Sequence, residues 1–132
     1  MISAKNQGYP TTARFVKALW EGDYESLKGN PPEHFVNVQD DARLHTIALT
    51  DPAVQGERIF AAAAPFNMNS IVAVLRKLYP QREFADYPEG GEDVSTFEGK
   101  DRAAELLKRA YGMGFATLEE SVRGNAADLV AA

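Results

Sequence analysis

The chain has 132 residues, no cysteine, 45% hydrophobic residues and a net charge of -5. This composition excludes a disulfide-bonded scaffold, a cysteine nucleophile and a Cys-ligated metal centre, and it is too apolar for a disordered chain. The acidic balance disfavours nucleic-acid binding, which needs clustered Lys and Arg. The longest apolar run, residues 59–66, is shorter than the roughly 20 residues of a membrane-spanning helix. We therefore expect one cytoplasmic domain over residues 1–132 that binds neither nucleic acid nor membrane.

The N-terminal segment predicts one amphipathic helix. Residues 2–10 are polar and turn-rich, and either Thr11 or Thr12 can cap the helix that follows. Apolar residues recur there at helical spacing until Gly22 ends the pattern, and they form a stripe of Phe15, Val16, Leu19 and Trp20. Consecutive prolines then predict a loop over residues 29–32.

A strand, a helix and a second strand are predicted next. Residues 35–38 are rich in β-branched and aromatic side chains, which predicts a short strand. Asp40 or Asp41 is the predicted cap of a helix that stops before Asp51. Residues 58–64 form a nearly continuous apolar run after a polar turn, which predicts a buried strand with neighbours on both faces.

Three further features complete the predicted fold. Asn67 or Asn69 can cap a helix that ends before Pro80, and residues 87–93 predict an acidic loop. A helix over Lys100–Tyr111 is expected to end at Gly112 or Gly114, and its expected buried residues are Ala103, Leu106, Leu107 and Ala110. Thr117 and Glu120 form a capping box for the last helix. The sum is a mostly helical α/β chain of the α+β kind, with about five helices and two or three short strands.

The known catalytic motifs are absent from the sequence. It has no glycine-rich phosphate loop, no Gly-x-Ser-x-Gly elbow and no His-Glu-x-x-His zinc helix. Because His34 and His45 are the only imidazoles, we expect no metal site, and we expect His34 at the surface. Tyr24 and Lys28 have the Tyr-x-x-x-Lys spacing of a proton-transfer pair, but neighbouring glycines indicate a loop and a chance match.

The candidate catalytic residues lie within the first 45 residues of the chain. His45 is the candidate proton shuttle because imidazole titrates near neutrality, and Asp41 is its candidate orienting carboxylate. Asp40 and Asp41 can equally be helix caps, and Tyr9 or Arg14 can polarise a carbonyl. Aromatic residues suit the walls of an organic ligand's pocket as well as an ordinary core or a dimer face, and the candidate substrate contacts are Phe15, Trp20 and His34.

Four ordered segments carry a resemblance to a known family. They are NQGYPTTARFVKALWEGD (residues 6–23), NVQDDARLHTIAL (37–49), GERIFAAAAPFNMNSIVAVLRKLYP (56–80) and AAELLKRAYGMGFATLEESVRGNAADL (103–129). In the same order they resemble the C-terminal, substrate-binding half of extended short-chain dehydrogenases of the fungal aldehyde reductase and dihydroflavonol reductase-like kind. Such proteins carry a preceding Rossmann domain with the glycine-rich loop and the Ser/Thr, Tyr and Lys catalytic set. None of this precedes Met1, so the resemblance implies a substrate-binding lobe without its Rossmann domain, which should not bind NADPH tightly alone.

The function remains open between two classes at this point. One is an enzyme that binds a hydrophobic small molecule and catalyses a cofactor-independent isomerisation, cyclisation or dehydration in natural-product metabolism. The alternative is a non-catalytic ligand-binding or partner protein, or a fragment of an NADPH-dependent aldehyde or ketone reductase. We expect no cofactor and no metal, and we expect a homodimer formed by the helix around residues 15–20 or by strand edges.

Overall fold

The computed structural model describes residues 4–130. These residues contain six helices and one small sheet, joined by turns and loops. A short helix occupies part of the predicted turn-rich segment, of which Ile2 and Ser3 lie outside the described residues. The mostly helical fold with short strands is confirmed. In chain order the elements are α1 (Ala4–Gln7), α2 (Ala13–Glu21), a 3₁₀ turn (Glu25–Leu27), β1 (Glu33–Phe35), α3 (Val38–Thr50), β2 (Ala64–Phe66), α4 (Met68–Leu78), α5 (Lys100–Tyr111) and α6 (Leu118–Val130).

Several helix ends lie where the sequence predicts them. Asn67 caps α4 by accepting a hydrogen bond from the Ser70 amide at 2.8 Å, and the Ser70 hydroxyl accepts one from the Asn67 amide in return. At α6 the Thr117 amide donates to Glu120, and the Glu120 amide donates to the Thr117 hydroxyl. Gly22 ends α2 with a φ of 75°, a left-handed conformation that glycine adopts without steric cost.

The predicted cap of α3 is wrong. Asn37, not Asp40 or Asp41, occupies the cap position, and its side chain accepts a hydrogen bond from the Gln39 amide at 2.9 Å. Asp40 instead points into the protein, where it is 1% exposed and accepts a hydrogen bond from the Ala116 amide at 2.7 Å. A carboxylate two residues inside a helix can therefore serve a distant backbone amide instead of its own helix start.

The sheet has two short strands, within the predicted two or three, but their positions differ from the prediction. Strands β1 and β2 pair antiparallel, with Glu33 opposite Phe66 and Phe35 opposite Ala64. The strand predicted at residues 35–38 begins two residues earlier, and it ends at Phe35 because Asn37 already caps α3. The buried strand predicted at residues 58–64 is wrong: only Ala64 belongs to a strand, and the rest is half-buried or exposed irregular backbone. Its alanines have low strand propensity, and the two-stranded sheet provides no second neighbour.

Two apolar clusters hold the helices together. The main core lies among α2, α4 and α6, with Leu19, Leu75 and Val122 at its centre. The second core lies between α3 and α5, where Ala103, Leu106 and Leu107 are buried as predicted. Ala110, the next-to-last residue of α5, is exposed, contrary to expectation. Asp40 connects the two regions, since α3 carries it and Ala116 lies two residues before the first residue of α6.

Candidate functional site

The central cleft is a concavity between the small sheet and the starts of α2, α3 and α6. It encloses about 490 Å³, which is within the size range of pockets for small organic ligands. Most of its walls are the first turns of three helices together with the sheet, so elements distant in sequence combine to form it. Its lining residues are Pro10, Thr11, Thr12, Ala13, Phe15, Val16, Glu33, Phe35, Val36, Asn37, Val38, Gln39, Asp41, Phe66, Ile71, Leu118, Glu120, Ser121, Val122, Gly124 and Asn125.

Strand alternation places β1 side chains on opposite sides of the sheet. Glu33 and Phe35 both line the central cleft, whereas His34, the residue between them, contacts Asp93 elsewhere. This follows from the two-residue period of a strand. Phe35 also meets Phe66 of β2 edge to face, with ring centroids 6.2 Å apart. The pair gives the cleft an aromatic wall that β-sheet geometry fixes.

The polar groups of the central cleft are mostly neutral amides and hydroxyls. Asn37 is held in place twice, because its carbonyl oxygen accepts from the Gln39 amide and its NH₂ group donates to the Ser121 hydroxyl at 3.1 Å. The second hydrogen bond joins α3 to α6 across the cleft. Such groups can orient a ligand's polar atoms while the aromatic and aliphatic walls bury its body.

His45 lies in a smaller side pocket of about 330 Å³. Its Nδ1 atom lies 2.8 Å from the Asp41 backbone oxygen and 3.7 Å from that residue's carboxylate, and its side chain is 75% exposed. The apolar floor of this pocket is formed by α3 and the irregular segment after it: Leu44, Ala48, Val54, Ile59 and Ala61. Asp41 lines both concavities, so the structure brings the predicted His45–Asp41 pair together on one helix.

Tyr9 and Arg14 lie outside the lining of both concavities. The Lys17 ammonium lies 5.9 Å from the centroid of the Tyr9 ring. Burial raises the pKa of the Tyr9 hydroxyl, and the Asp128 carboxylate raises it further, so this hydroxyl stays protonated at neutral pH. Arg14 makes a hydrogen bond of 3.4 Å to the Ser26 backbone oxygen. The two predicted carbonyl-polarising groups are therefore engaged apart from His45.

Phe15 and Trp20 take different places although both belong to α2. Phe15 is buried and borders the central cleft. Trp20 is half-buried in an aromatic group, with its ring 5.0 Å from that of Tyr79 and 5.7 Å from that of Phe84. The guanidinium of Arg82 covers the Trp20 ring at 4.4 Å. Trp20 thus packs against the main core outside the lining of the central cleft, so the predicted substrate contacts Phe15 and Trp20 do not share one concavity.

His34 is largely buried, not at the surface as predicted. Its Nδ1 atom lies 2.6 Å from the Asp93 carboxylate, and both side chains are 9% exposed. The Ser95 hydroxyl and amide, followed by His34, lower the pKa of Asp93 to about 2. The His34 ring packs edge to face on Phe97, with centroids 4.8 Å apart. This group attaches the loop after α4 to the sheet, on the side facing away from the central cleft.

Sequence reasoning missed Glu33, Phe35 and Phe66 as site residues. A signal was available in β1. Alternation along a strand places Glu33 and Phe35 on one face of the sheet and His34 on the other. In residues 4–130 no group of three or more His, Asp or Glu side chains is arranged to hold a metal ion. None of the described helices is long and apolar enough to cross a membrane.

Comparison with known proteins gives several related sequences. The chain is 32% identical to aldehyde reductase 2 of Sporidiobolus salmonicolor over 86% of its own length and 33% of the relative. It is 37% identical to a ketoreductase of Aspergillus novofumigatus over 83% of its length and 32% of the relative. It is 32% identical to an NAD-dependent epimerase/dehydratase of Aspergillus flavipes over 97% of its length and 37% of the relative. The chain spans about a third of each curated relative, and no family model matches it.

Proposed function

Because the chain belongs to the short-chain dehydrogenase/reductase family that includes the NAD-dependent epimerases/dehydratases, we propose that it forms the substrate-binding part of an aldehyde or ketone reductase. In this role the central cleft binds a hydrophobic carbonyl compound. Relatives named as aldehyde reductase and ketoreductase support this choice. They give no support to a cofactor-independent isomerisation or cyclisation, which stays a prediction.

The central cleft is the single observation that carries the proposal. Its volume of about 490 Å³ suits a ligand of one to a few rings. The Phe35–Phe66 pair and Ile71 provide apolar walls, and the Asn37 amide can hydrogen-bond a carbonyl oxygen without a net charge. The larger area of the walls is apolar, so binding energy is expected to come mainly from burial of the ligand's hydrophobic body.

The family's nicotinamide cofactor does not fit the residues of this chain. A dinucleotide pyrophosphate is held by a glycine-rich turn between a parallel strand and a helix. In the described residues the sheet has two short antiparallel strands, and the sequence has no Gly-x-Gly-x-x-Gly motif. We therefore assign only substrate binding and orientation to these residues.

The catalytic roles of side-pocket residues and the assembly of the chain stay predictions. His45 and Asp41 stay candidate proton-transfer residues, and their exposure at the side pocket leaves them accessible to a ligand. A homodimer and a cytoplasmic location also stay predictions. The apolar stripe of α2 is an unsuitable dimer face, because Phe15 and Leu19 are already buried in the main core.

The test fills the central cleft without disturbing the core. Val38 lines the cleft at the start of α3 and is 50% exposed, whereas Leu49 lies near the end of the same helix, outside the cleft and almost fully exposed. Binding of para-tert-butylacetophenone to the full chain is measured by NMR titration or calorimetry. Val38→Trp should abolish or strongly weaken binding, and Leu49→Trp should leave it unchanged.

The outcome separates the two concavities. A third variant, Ala48→Trp, fills the side pocket instead. Loss of binding in Ala48→Trp but not in Val38→Trp would move the substrate site to His45. If the wild-type chain does not bind the ketone although circular dichroism shows that it is folded, the proposal is contradicted.

A further inference from the structure

We propose that the central cleft selects its substrate by charge, accepting a carbonyl compound with a cationic group on an apolar body and rejecting the anionic counterpart. Glu33 and Asp41 are the specificity-determining residues. The inference rests on the proposed function, because it concerns the same cleft.

The charged side chains that line the central cleft all carry one sign. They are Glu33, Asp41 and Glu120, and among the described residues no Lys, Arg or His lines the cleft. Glu120 is engaged by the Thr117 amide and hydroxyl. Glu33 has no ion-pair partner within residues 4–130, and the nearest cationic candidate for the Asp41 carboxylate is His45 Nδ1 at 3.7 Å. Two carboxylates are thus available to a ligand.

Helix dipoles oppose these charges without outweighing them. The first turns of α2, α3 and α6 all contribute to the lining, and each helix start carries about half a positive charge. Asn37 accepts a hydrogen bond from a free amide at the start of α3 without adding charge, and Glu120 accepts one from the Thr117 amide directly before α6. Three full negative charges exceed about one and a half positive ones, so the net potential in the cleft is negative. Its low-dielectric walls strengthen that potential compared with an open surface.

The aromatic wall adds to the preference for a cation. Phe35 lies one alternate position along β1 from Glu33, on the same face of the sheet, and contacts Phe66 edge to face. A quaternary ammonium group near Glu33 can therefore also reach an aromatic ring, whose face attracts cations. An anion placed there meets a carboxylate and the negative face of a ring.

The experiment uses three para-substituted acetophenones that differ in charge. The substituents are trimethylammonio, tert-butyl and carboxylate, so the first two have nearly the same shape and differ in charge. Affinity for the full chain is measured by NMR titration at low ionic strength. The cationic ketone should bind at least about tenfold more tightly than the anionic one, and added salt should reduce this ratio.

Matched variants assign the effect to the two carboxylates. Glu33→Gln and Asp41→Asn remove a charge with little change in shape, and the double variant should reduce the cation-to-anion ratio by about fivefold or more. Glu25→Gln, an exposed carboxylate outside the cleft, should leave the ratio unchanged.

The possible failures are distinguishable. Equal binding of the cationic and anionic ketones, or an unchanged ratio in the double variant, would overturn charge selection while the neutral ketone's binding upholds the proposed function. If the neutral ketone does not bind the folded chain either, both proposals fail.

Discussion

Replacing Asp40 by alanine should destabilise the chain by about 3 kcal/mol. Asp40 is buried inside α3 and accepts hydrogen bonds from the Ala116 amide at 2.7 Å and from Arg43 at 3.0 Å. The variant removes both bonds and leaves the Ala116 amide, which lies just before α6, without its acceptor. The variant tests whether this one carboxylate contributes to stability by joining α3 to the segment before α6.

The magnitude follows from the two bonds. Removing the charged acceptor leaves the Ala116 amide without a hydrogen bond, which lowers the free energy of unfolding by about 2 kcal/mol. The Arg43 side chain is one-third exposed, and solvent screening limits its share to about 1 kcal/mol. At about 2 cal/mol/K of unfolding entropy per residue, a chain of 132 residues loses about 10 °C in Tm.

The assay is urea unfolding followed by circular dichroism, with Asp41→Ala as the matched control. Asp41 is the next residue along α3, but its side chain is 43% exposed. Removing its favourable interaction with the helix start should cost about 0.5 kcal/mol or less. Equal destabilisation by the two substitutions, or a loss below about 1 kcal/mol for Asp40→Ala, would refute the reasoning.

Three further predictions concern other elements. Gly112→Ala should destabilise the chain by about 1 kcal/mol, because the positive φ of 76° at this residue strains any side chain. Gly124→Ala lies inside α6, where an added methyl group meets no atom, and should stabilise the chain by up to about 1 kcal/mol. Thermal unfolding of the two variants measures both changes. Asn67→Ala should cost about 1 kcal/mol by removing the cap of α4, visible as a lower urea midpoint. Asp93 has a folded pKa lowered from 3.8 to about 2, so its stabilisation is present above the unfolded value and is lost as pH falls through about 2. Asp93→Asn should therefore flatten the loss of stability between pH 3.8 and about 2, and an unchanged acid-unfolding profile would contradict this.

The helices of this protein could be predicted from the sequence because their signals are local. Apolar spacing defined the buried sides of α2 and α4, and the Thr117–Glu120 capping box identified the start of α6. Gly22 and Gly112 ended helices because only glycine adopts their positive φ at little cost. Each of these signals lies within a few residues of the structure that it specifies.

The resemblance of four ordered segments identified the family, but the site depended on contacts that the sequence does not record. His45 and Asp41 are four residues apart on α3, and their proximity could be predicted. The central cleft could not, because it forms only where β1 meets the starts of three helices. Local patterning therefore predicts elements, and it leaves open which elements meet.

The buried polar groups show the same division with a clear physical cause. Asp40 was predicted as a helix cap because the free amides of the helix start are the only partners for its carboxylate that the local sequence reveals. In the structure its carboxylate instead accepts a hydrogen bond from an amide 76 residues away. His34 similarly meets Asp93 across 59 residues. The sequence by itself determined α2 to α6, most of their ends and the acidic, cysteine-free composition, but not α1 or the cap of α3. Tertiary structure alone decided which carboxylates are buried, which line the central cleft and which imidazole is exposed, because burial is fixed by the packing of distant segments and not by neighbours along the chain.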